Sequence, residues 1–489
     1  MSTTSGDPRN INHFLEGSGP LRGQLNEAAQ AAVAAFNAFV ATGSATGGSL
    51  GGLQALIQLL SDMGANEGFV HSITEALAAA DRSGLGVVSI SDATLAARLK
   101  ADGVGAAPSY ITVGPSSLMG FPPTSGFVED PVCALTGNFF HAEVDLSFPG
   151  RASLLDLARH YNSLASGRVG AFGAGWSSLL DMALVAGAGE GITVALADGA
   201  EIGFLAGDDG VLRPETRPSL SLSHLDDGTW VLADGPASAA ATWRFDAAGT
   251  LTGWSRGRSQ VFVERSEGRV VALVEASSGR RVSVSWEGGR VASVAAGDGR
   301  SVAYAYDEGG HLVSVSRPSG GVSYRIESGL VVAVVDADGV EKVSNAYDGA
   351  GRVASQRSSF GRVSLYAYSD HGLTVVTDEA GSARNAFVHD RRGNLTSMVD
   401  AYGRAMRMRY DASGRLVGFT ERRGGTWEVA WDEAGSRPVR RVGPEGFEES
   451  FEWDGSGRIV AHHLPTGTTR WSYSAPDHAT PSLIVDPGG

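Results

Sequence analysis

Alternation of apolar and polar side chains dominates the second half of this 489-residue chain. Met406, Met408 and Tyr410 are apolar or aromatic, and the intervening Arg407 and Arg409 are charged. Successive side chains of a β-strand point to opposite faces of its sheet, so this run predicts a strand with one apolar and one polar face. Similar short runs separated by glycine-rich turns predict an antiparallel sheet that is buried on one side.

The first part of the chain has a helical period instead. Between Leu25 and Phe39, apolar residues recur every three or four positions in an alanine-rich stretch, which is the spacing of one helix face. Glycine- and serine-rich turns divide helical segments between about residues 12 and 84. Residues 1–105 are therefore predicted to form a helical hairpin or bundle that serves in secretion or docking, although an ordinary helical domain fits the pattern equally well.

A ten-residue phrase recurs through the alternating region. It reads YDASGRLVGF from Tyr410 to Phe419 and has close variants elsewhere. Its aspartates are spaced by about 21 residues or by about twice that distance, so the skipped positions are expected to hold worn copies. Residues 245–489 then form a predicted array of about twelve units. The aspartates of the six clear copies are Asp307, Asp348, Asp390, Asp411, Asp432 and Asp454.

Each unit can be derived from turn chemistry. The aspartate side chain can accept hydrogen bonds from backbone amides ahead of it, and a glycine three residues later can adopt the left-handed conformation that closes a turn. Two strands of about six residues then form a hairpin, and hairpins must pair edge to edge because one alone cannot bury its apolar face. The glycines predicted at these turns are Gly310, Gly351, Gly393, Gly414, Gly435 and Gly457.

Two further regions separate the helices from the repeats. Residues 106–129 are rich in proline, glycine and serine and are predicted to be an extended linker. Residues 130–244 contain strand-like runs separated by turn sequences such as TGN, PGR and DG, and are predicted to form a β-rich module. The whole chain is therefore expected to be mainly β, with a helical hairpin or bundle before its β-sheets.

The stretch from Asp130 to Trp176 closely resembles the module that precedes the repeats in rearrangement hot spot (Rhs) and tyrosine-aspartate (YD) repeat proteins, and the repeated phrase resembles the YD repeat itself. Together the two resemblances cover residues 130–489, which is most of the chain. The matching residues that we expect to be structural are Asp130, Pro131, Thr136, Gly137, Asn138, Pro149, Gly150, Tyr161, Asn162, Gly173, Gly175 and Trp176.

The resemblance implies a fold and a function. YD repeats of Rhs proteins, of the C component of insecticidal toxin complexes and of teneurins form a strip of β-sheet that spirals into a hollow shell. In the bacterial members that shell encloses a toxic C-terminal domain, so we expect this chain to be part of the shell of a polymorphic toxin. The first 85 or so residues also resemble the helical hairpins of WXG substrates of type VII secretion, although no tryptophan precedes Trp176.

The length of the array sets the size of the expected shell. About twelve two-stranded units at roughly 4.8 Å per strand give a strip of about 115 Å, which would close into a ring only about 37 Å across. We therefore expect a partial shell, with the remaining shell and a C-terminal toxin cargo supplied in cis or in trans. The Asp-Pro-rich plug and variable toxin that the resemblance implies do not follow the final SLIVDPGG.

Charge and hydropathy narrow the partners and the location. The formal net charge is −15, which disfavours nucleic acid as a partner because binding to its phosphates requires a basic surface. The N-terminus lacks the basic and apolar regions of a cleavable signal, and no run of about 18 apolar residues occurs. We expect no membrane span, a cytoplasmic location before export, and secretion or cell-surface display by a non-classical route.

The sequence predicts no catalytic, cofactor or metal site. His462 and His463 are adjacent, so in a strand they point to opposite faces and cannot chelate one ion together. Cys133 is the only cysteine and is expected to be a small core residue. The leading hypothesis is a non-catalytic shell segment. The alternative is a cell-surface carbohydrate-binding or adhesion module in which exposed aromatic rows stack on sugars, and an enzyme is a third, less favoured class.

Overall fold

The computed structural model describes residues 3–6, 88–91, 111–148, 154–187, 191–207, 209–235, 241–257, 259–369, 372–381, 384–432, 437–474 and 481–488. Within these stretches the fold is mainly β and dominated by one large antiparallel sheet, which confirms the predicted fold class. The helices predicted at residues 12–84 lie outside the described residues, as do the predicted turn residues Pro149, Gly150 and Gly435. What is described of residues 1–105 is an antiparallel pair of strands, β1 (Thr3–Gly6) and β2 (Val88–Ser91).

The segment predicted as an extended linker differs from that expectation from residue 111 onward. It contains a short 3₁₀ helix, Pro115–Leu118, and the side chains of Leu118 and Met119 are buried. Thr124 O accepts a hydrogen bond from Leu395 N at 2.7 Å. Proline and glycine interrupt regular structure, but Leu118 and Met119 supply an apolar side that packs on the remainder of the fold.

Small sheets follow this segment. Strand β5 pairs with β6, and β6 with β9, through buried side chains such as Leu157 and Tyr161. Short 3₁₀ helices span Ser163–Ala165 and Leu179–Asp181. The strands are β3 (Phe127–Val128), β4 (Val132–Cys133), β5 (Phe140–Leu146), β6 (Leu157–Asn162), β7 (Val169–Gly170), β8 (Gly173–Ala174), β9 (Trp176–Ser178), β10 (Ala183–Ala186), β11 (Ile192–Ala195), β12 (Glu201–Ala206) and β13 (Leu212–Pro214).

One sheet of 26 strands contains the repeats, and every strand pairs antiparallel with its neighbours in sequence. It begins at Leu220, before the predicted array start at residue 245, so three strands of the predicted β-rich module belong to it. A 3₁₀ helix spans Pro444–Gly446. The strands are β14 (Leu220–His224), β15 (Trp230–Asp234), β16 (Ala241–Phe245), β17 (Leu251–Arg256), β18 (Ser259–Ser266), β19 (Arg269–Glu275), β20 (Arg281–Glu287), β21 (Arg290–Ala296), β22 (Ser301–Tyr306), β23 (Leu312–Ser316), β24 (Val322–Glu327), β25 (Leu330–Asp336), β26 (Glu341–Tyr347), β27 (Val353–Ser358), β28 (Val363–Tyr368), β29 (Leu373–Asp378), β30 (Arg384–His389), β31 (Leu395–Val399), β32 (Ala405–Tyr410), β33 (Leu416–Thr420), β34 (Thr426–Trp431), β35 (Pro438–Val442), β36 (Glu448–Trp453), β37 (Ile459–Leu464), β38 (Gly467–Ser472) and β39 (Leu483–Val485).

The repeat turn is held by its aspartate. Asp411 Oδ1 accepts hydrogen bonds from the backbone N–H groups of Ser413 at 2.9 Å and Arg415 at 3.0 Å, and Oδ2 accepts one from Arg415 Nε at 2.6 Å. Gly414 N donates to Asp411 O at 2.9 Å and has a φ of +85°, a conformation that side-chain-bearing residues disfavour. Burial opposes ionisation of Asp411, but the hydrogen bonds from Arg415 outweigh it and lower the pKa of that carboxyl.

The other five phrases use related contacts. Asp348, Asp390 and Asp454 each accept two backbone N–H groups through Oδ1, and Asp307 accepts His311 N at 2.8 Å. Asp432 accepts Arg437 N at 3.2 Å, one position further along than in the other repeats. The remaining described glycines of these turns also have positive φ, namely Gly310 (+82°), Gly351 (+78°), Gly393 (+84°) and Gly457 (+77°).

The aromatic residue that begins each phrase connects its hairpin to the one before. Tyr306 Oη donates a hydrogen bond to Val291 O at 2.7 Å, and Trp431 Nε1 donates to Leu416 O at 2.9 Å. The acceptor lies in the strand just after the previous turn, so these bonds tie successive hairpins together at one rim of the sheet. The same bond recurs at Trp286, Tyr347, Tyr368, Tyr410, Trp453 and Tyr473.

Arginines of the turns reinforce this connection. Arg352 Nε donates to Asp348 Oδ2 at 2.8 Å, and its guanidinium lies 4.9 Å from the ring centre of Tyr368 in the next repeat. Arg458 makes the corresponding contact to Tyr473 at 4.0 Å. A cation over an aromatic ring contributes about 0.5–1 kcal/mol at such partly exposed sites. These arginines therefore have a structural role. The role is hard to recognise from the sequence, because arginine is common throughout the chain.

The sheet curves around the segment that precedes it. We call the described residues between 111 and 187 the inner module. It contacts the sheet from β17, where Trp254 Nε1 donates to Leu154 O, to β31, where Leu395 N donates to Thr124 O. Fourteen strand steps would extend about 67 Å in a flat sheet. A module of some 70 residues is only about 30 Å across, so the sheet must wrap around it, with its apolar face inward.

The positive φ at the repeat turns predicts a position-specific effect of alanine. A Cβ added at Gly414 meets nothing closer than Asn394 Oδ1 at 4.0 Å, so Gly414→Ala adds backbone strain without a clash. We expect it to lower the free energy of unfolding by about 1 kcal/mol. Gly349→Ala is the matched control, because Gly349 also lies in a repeat turn, has open space and lacks a positive φ. Equal urea midpoints for the two variants would contradict this account.

The tyrosine connections predict loss of stability at alkaline pH. Burial, with a further contribution from Asp390, raises the pKa of Tyr410 to about 12, whereas an unfolded tyrosine titrates near ~10. The folded state holds this proton more tightly, so its contribution is complete below pH ~10 and is lost as pH rises towards 12. Urea unfolding between pH 9 and 12 measures the slope. Tyr410→Phe is expected to flatten it, and Tyr402→Phe, which changes a residue 85% exposed on a turn, is the control.

Candidate functional site

The contact between the inner module and the sheet is centred on a buried ion pair. Arg159 Nε donates to Asp145 Oδ2 at 2.7 Å and Nη2 donates to Oδ1 at 3.2 Å, and both side chains are fully buried. Arg159 Nη1 donates to Tyr324 Oη at 2.9 Å. The guanidinium also lies 4.5 Å from the ring centre of Trp176. Strands β5, β6 and β9 of the inner module and β24 of the sheet thus meet at one arginine.

Asp145 collects further donors from the sheet. Tyr304 Oη donates to Asp145 Oδ2 at 2.9 Å, and Arg317 Nη2 donates to Oδ1 at 2.9 Å. Burial and the charge of Asp145 raise the pKa of Tyr304 well above its ordinary value. Burial disfavours the charge of the adjacent Glu143, but hydrogen bonds from His141 and Arg317 outweigh it and lower its pKa to about 2. The cluster is a satisfied network of buried charges, which ties two layers together.

Backbone groups form a second set of contacts. The hairpins are irregular where each strand leaves its turn, and this leaves N–H groups that point towards the inner module. Val291 N donates to Ala171 O at 2.9 Å, Val353 N to Gly137 O at 2.9 Å, and Val331 N to Tyr161 Oη at 3.0 Å. The inner module therefore supplies one acceptor to each of several repeats.

Several residues singled out by the resemblance come together at this contact. Tyr161 is buried, which raises its pKa to about 12, and Trp176 packs 5.3 Å from its ring. A Cβ at Gly175 would lie 2.6 Å from Tyr161, and one at Gly173 would lie 2.7 Å from Gly310 O of a repeat turn. The close approach of chain to chain explains why glycine is found at both positions.

The remaining resemblance residues organise the loop before β5. Asn138 Nδ2 donates to Asn162 Oδ1 at 2.8 Å, and both side chains are buried. Asn138 N donates to Thr136 Oγ1 at 3.2 Å, and a Cβ at Gly137 would lie 2.8 Å from the Tyr368 ring. Pro131 O accepts from Phe140 N at 3.1 Å, and the backbone N–H and C=O of Asp130 both bind Gln356 at 3.0 Å.

Sequence reasoning did not place the partners of these residues in the sheet. Tyr304, Tyr324 and Arg317 belong to ordinary-looking strands and turns, and nothing in their sequence separates them from other repeats. His389 was also missed: it is fully buried, and its Nδ1 and Nε2 lie 3.0 Å and 2.7 Å from the carbonyl oxygens of Gly372 and Ser125. The available signal is a histidine immediately before a repeat aspartate, where the other clear copies have an aromatic residue.

The apolar face of the sheet continues beyond the inner module. Directly paired residues share a face, and pairings lead from the buried Phe387 through Met398 to Met406 and its strand neighbour Met408. Further pairings continue this face through Phe419, Trp427 and Phe451. The buried core runs through Leu395, with Met398 and Met408 at its margin, whereas these three later aromatic residues are half-buried. We call the apolar side of β32 to β38 the open inner face.

Charged groups on this open face are paired. Glu449 accepts hydrogen bonds from Arg441 through Oε1, and its Oε2 lies 2.8 Å from His462 Nε2. His463 contacts Glu452 Oε1 at 2.9 Å on the opposite face of the strand, as the adjacency of the two histidines predicts. Within the described stretches, no group of three or more His, Cys, Asp or Glu side chains could hold a metal ion.

The sequence also predicted a core position for Cys133 and no membrane span. Cys133 is fully buried, and burial raises the pKa of its thiol. No helix in the described part of the chain is long and apolar enough to cross a membrane. The site is thus a contact between the inner module and the sheet, built from a buried ion-pair network, apolar packing and backbone hydrogen bonds.

Known family descriptions match the two regions that meet at this contact. "Domain of unknown function (DUF6531)" matches residues 129–204, which include most of the inner module. "RHS Repeat" matches residues 286–322, which include two repeat turns and strands β22 and β23.

The chain is similar to curated bacterial proteins. It is 28% identical over 190 residues to "Toxin protein Tse5" of Pseudomonas aeruginosa, covering 37% of this chain and 14% of that protein. It is 26% identical over 175 residues to "Probable deoxyribonuclease RhsA" of Dickeya dadantii, covering 35% of this chain and 12% of that protein. The matches thus span about an eighth of the length of either relative.

A solved structure is also similar. The crystal structure of TcdB2-TccC3-Cdc42 contains a chain that matches 58% of this chain and 18% of its own length, with 12% identity and a TM-score of 0.35. The sequence matches to the module and to the repeat are independent of that likeness. With both regions matched, the comparisons confirm the resemblance to the Rhs/YD-repeat toxin family that the repeated phrase predicted.

Proposed function

We propose that this chain is a non-catalytic segment of a toxin shell, which encloses or delivers a toxin domain outside these residues. The observation that carries the proposal is the open inner face, where Phe419, Trp427 and Phe451 continue an apolar surface that is buried elsewhere. A continuous row of apolar side chains that are only half-buried is typical of a site of contact. The remaining shell and the toxin cargo, supplied in cis or in trans, are the partners that would cover it.

The similar curated proteins support the same separation between a shell region and a toxic domain. Proteins named as a toxin and as a probable deoxyribonuclease are similar to this chain over about an eighth of their length. We infer that the toxic activity of such proteins lies outside the shared part, and that the shared part contains or presents it. The predicted N-terminal helices would then dock on the secretion machinery.

The chemistry of the repeats supports a structural role for their carboxylates. Asp348, Asp411 and Asp454 each use one carboxylate oxygen for two backbone N–H groups and the other for an arginine. A general acid or base must exchange a proton with substrate, and these groups are committed to holding turns. The wall therefore acts by shape and by burial.

The aromatic rows expected in a sugar-binding module have another use here. Tyr306, Tyr347 and Trp431 each donate their polar hydrogen to a backbone carbonyl of the preceding repeat. A ring that stacks on a sugar must offer an open face, and turn arginines already lie over Tyr306 and over the equivalent rings of Tyr368 and Trp453. These contacts favour the shell over the adhesion alternative.

Hydroxyl-radical footprinting of side chains tests the proposed function. The 489-residue chain is compared with the complete protein that its gene encodes, purified with any partner it retains. We expect labelling of Phe419, Trp427 and Phe451 to fall severalfold in the complete protein, because cargo or further shell covers them. Phe262, which is 47% exposed on the outer face, is the internal control and is expected to stay labelled.

Equal labelling of the open inner face in the two samples would refute containment by this wall. A uniform fall that includes Phe262 would also count against it, because that pattern reports general aggregation or a partner bound to the outside. Only loss of labelling confined to the inner face supports the proposal.

The curvature of the sheet around the inner module depends on the buried Arg159–Asp145 ion pair. Replacing Arg159 with methionine leaves Asp145 buried with less compensation, and breaking a buried pair in this way costs about 3–5 kcal/mol. We expect Arg159→Met to lower the unfolding midpoint strongly. Arg407→Met, on the exposed outer face, is the control.

A double variant separates charge from shape in the same experiment. Adding Asp145→Asn to Arg159→Met removes a buried charge that has lost its main partner, so part of the lost stability is expected to return. If Arg159→Met were as stable as Arg407→Met, the ion pair would not be what holds the inner module in the sheet.

A further inference from the structure

A cavity lies at the border between the inner module and the sheet, on the side away from the repeat turns. It has a volume of about 310 Å³, at the small end of the range for ligand pockets. Its floor is formed by buried Phe139, Val322, Val334 and Val343. Asp130 stands at its exposed mouth. The cavity therefore combines a dry floor with a polar entrance.

Among the described charged side chains that line this cavity, one carboxylate has no hydrogen-bond or ion-pair partner. Arg317 is bound by Glu143 at 2.5 Å and by Asp145 at 2.9 Å, and Lys342 is bound by Asp336 at 2.8 Å. Asp130 uses its backbone groups for Gln356, and its carboxylate has no hydrogen bond or ion pair among the described residues. Burial and then the charge of Glu129 raise the pKa of this carboxyl, and His141 opposes the shift.

A histidine at the same cavity contributes to its fixed shape. His141 Nε2 is buried and lies 3.2 Å from Glu143 Oε1. The imidazole is held between Phe139, stacked at 6.0 Å, and the edges of Trp176 and Tyr324. This side of the cavity is therefore fixed before any ligand arrives, and the Asp130 carboxylate is the group left to bind one.

The free carboxylate of Asp130 and the apolar floor fit a particular kind of ligand. A metal ion is a poor candidate, because no cluster of three or more suitable side chains exists among the described residues. An N–H cation on a short hydrocarbon stem would pair with the Asp130 carboxylate while burying its stem against Val334 and Val343. We propose that this cavity binds an alkylammonium or alkylguanidinium group, carried by a small molecule or by a lysine or arginine side chain of a polypeptide.

Saturation-transfer NMR with the full 489-residue chain tests this binding. The probes are n-butylguanidinium and n-butylammonium, and n-butylurea is the uncharged comparison. We expect saturable binding of at least one cation and much weaker binding of the urea. Asp130→Asn is expected to weaken cation binding about tenfold, the size of one lost charge-assisted hydrogen bond. Asp226→Asn, which removes an exposed carboxylate outside the cavity, is the matched control and should leave binding unchanged.

A second probe completes the test. The capped peptide Gly-Arg-Gly, with Gly-Ala-Gly as its control, distinguishes the sources, because binding of the arginine peptide indicates a polypeptide ligand and binding of the small cations alone indicates a free amine. No saturable binding of any cation, or equal weakening by Asp130→Asn and Asp226→Asn, overturns the proposal. It does not depend on the shell function, which could fail separately.

Discussion

A sheet that is apolar on one face has to remove that face from water, and the structure depends on how this is done. The inner module covers the face from β17 to β31, and the buried Arg159–Asp145 pair with Tyr304 and Tyr324 fixes it there. Because the module is far smaller than the flat sheet would be, covering it forces the sheet to curve. Curvature is thus a consequence of burial, and the same burial demand passes to the strands that the module does not reach.

Successive repeats are joined to each other at the rim of the sheet that carries the aspartate turns. Each turn aspartate fixes one hairpin, the next aromatic residue binds the carbonyl just beyond the turn, and a turn arginine lies over that ring, as in Asp348, Tyr368 and Arg352. These contacts join neighbours only, so the array can continue for any number of units. The N–H groups left by the irregular hairpins are then used by the inner module, which couples repeats that are distant from each other.

The sequence was informative where the signal is local and repeated. Alternation at Met406 to Tyr410 and the spacing of the aspartates were enough to predict a one-sided antiparallel sheet of hairpins. They could not show that residues from 111 onward pack into the fold, because proline and glycine in that segment are typical of linkers and only burial of Leu118 and Met119 reveals the packing. They also could not pair Arg159 with Tyr324, since 165 residues separate them. Long-range contacts between unlike elements leave no period to detect.

The central claim is that the open inner face lies against a toxin cargo or further shell, which covers it in the complete protein. A cryo-electron microscopy map of the complete protein, as its gene encodes it, measures this directly. The account predicts that strands β32 to β38 continue the curve set by the inner module, with density from cargo or further shell lying against Trp427 and Phe451. A map in which those strands flatten and their apolar face meets solvent would contradict it.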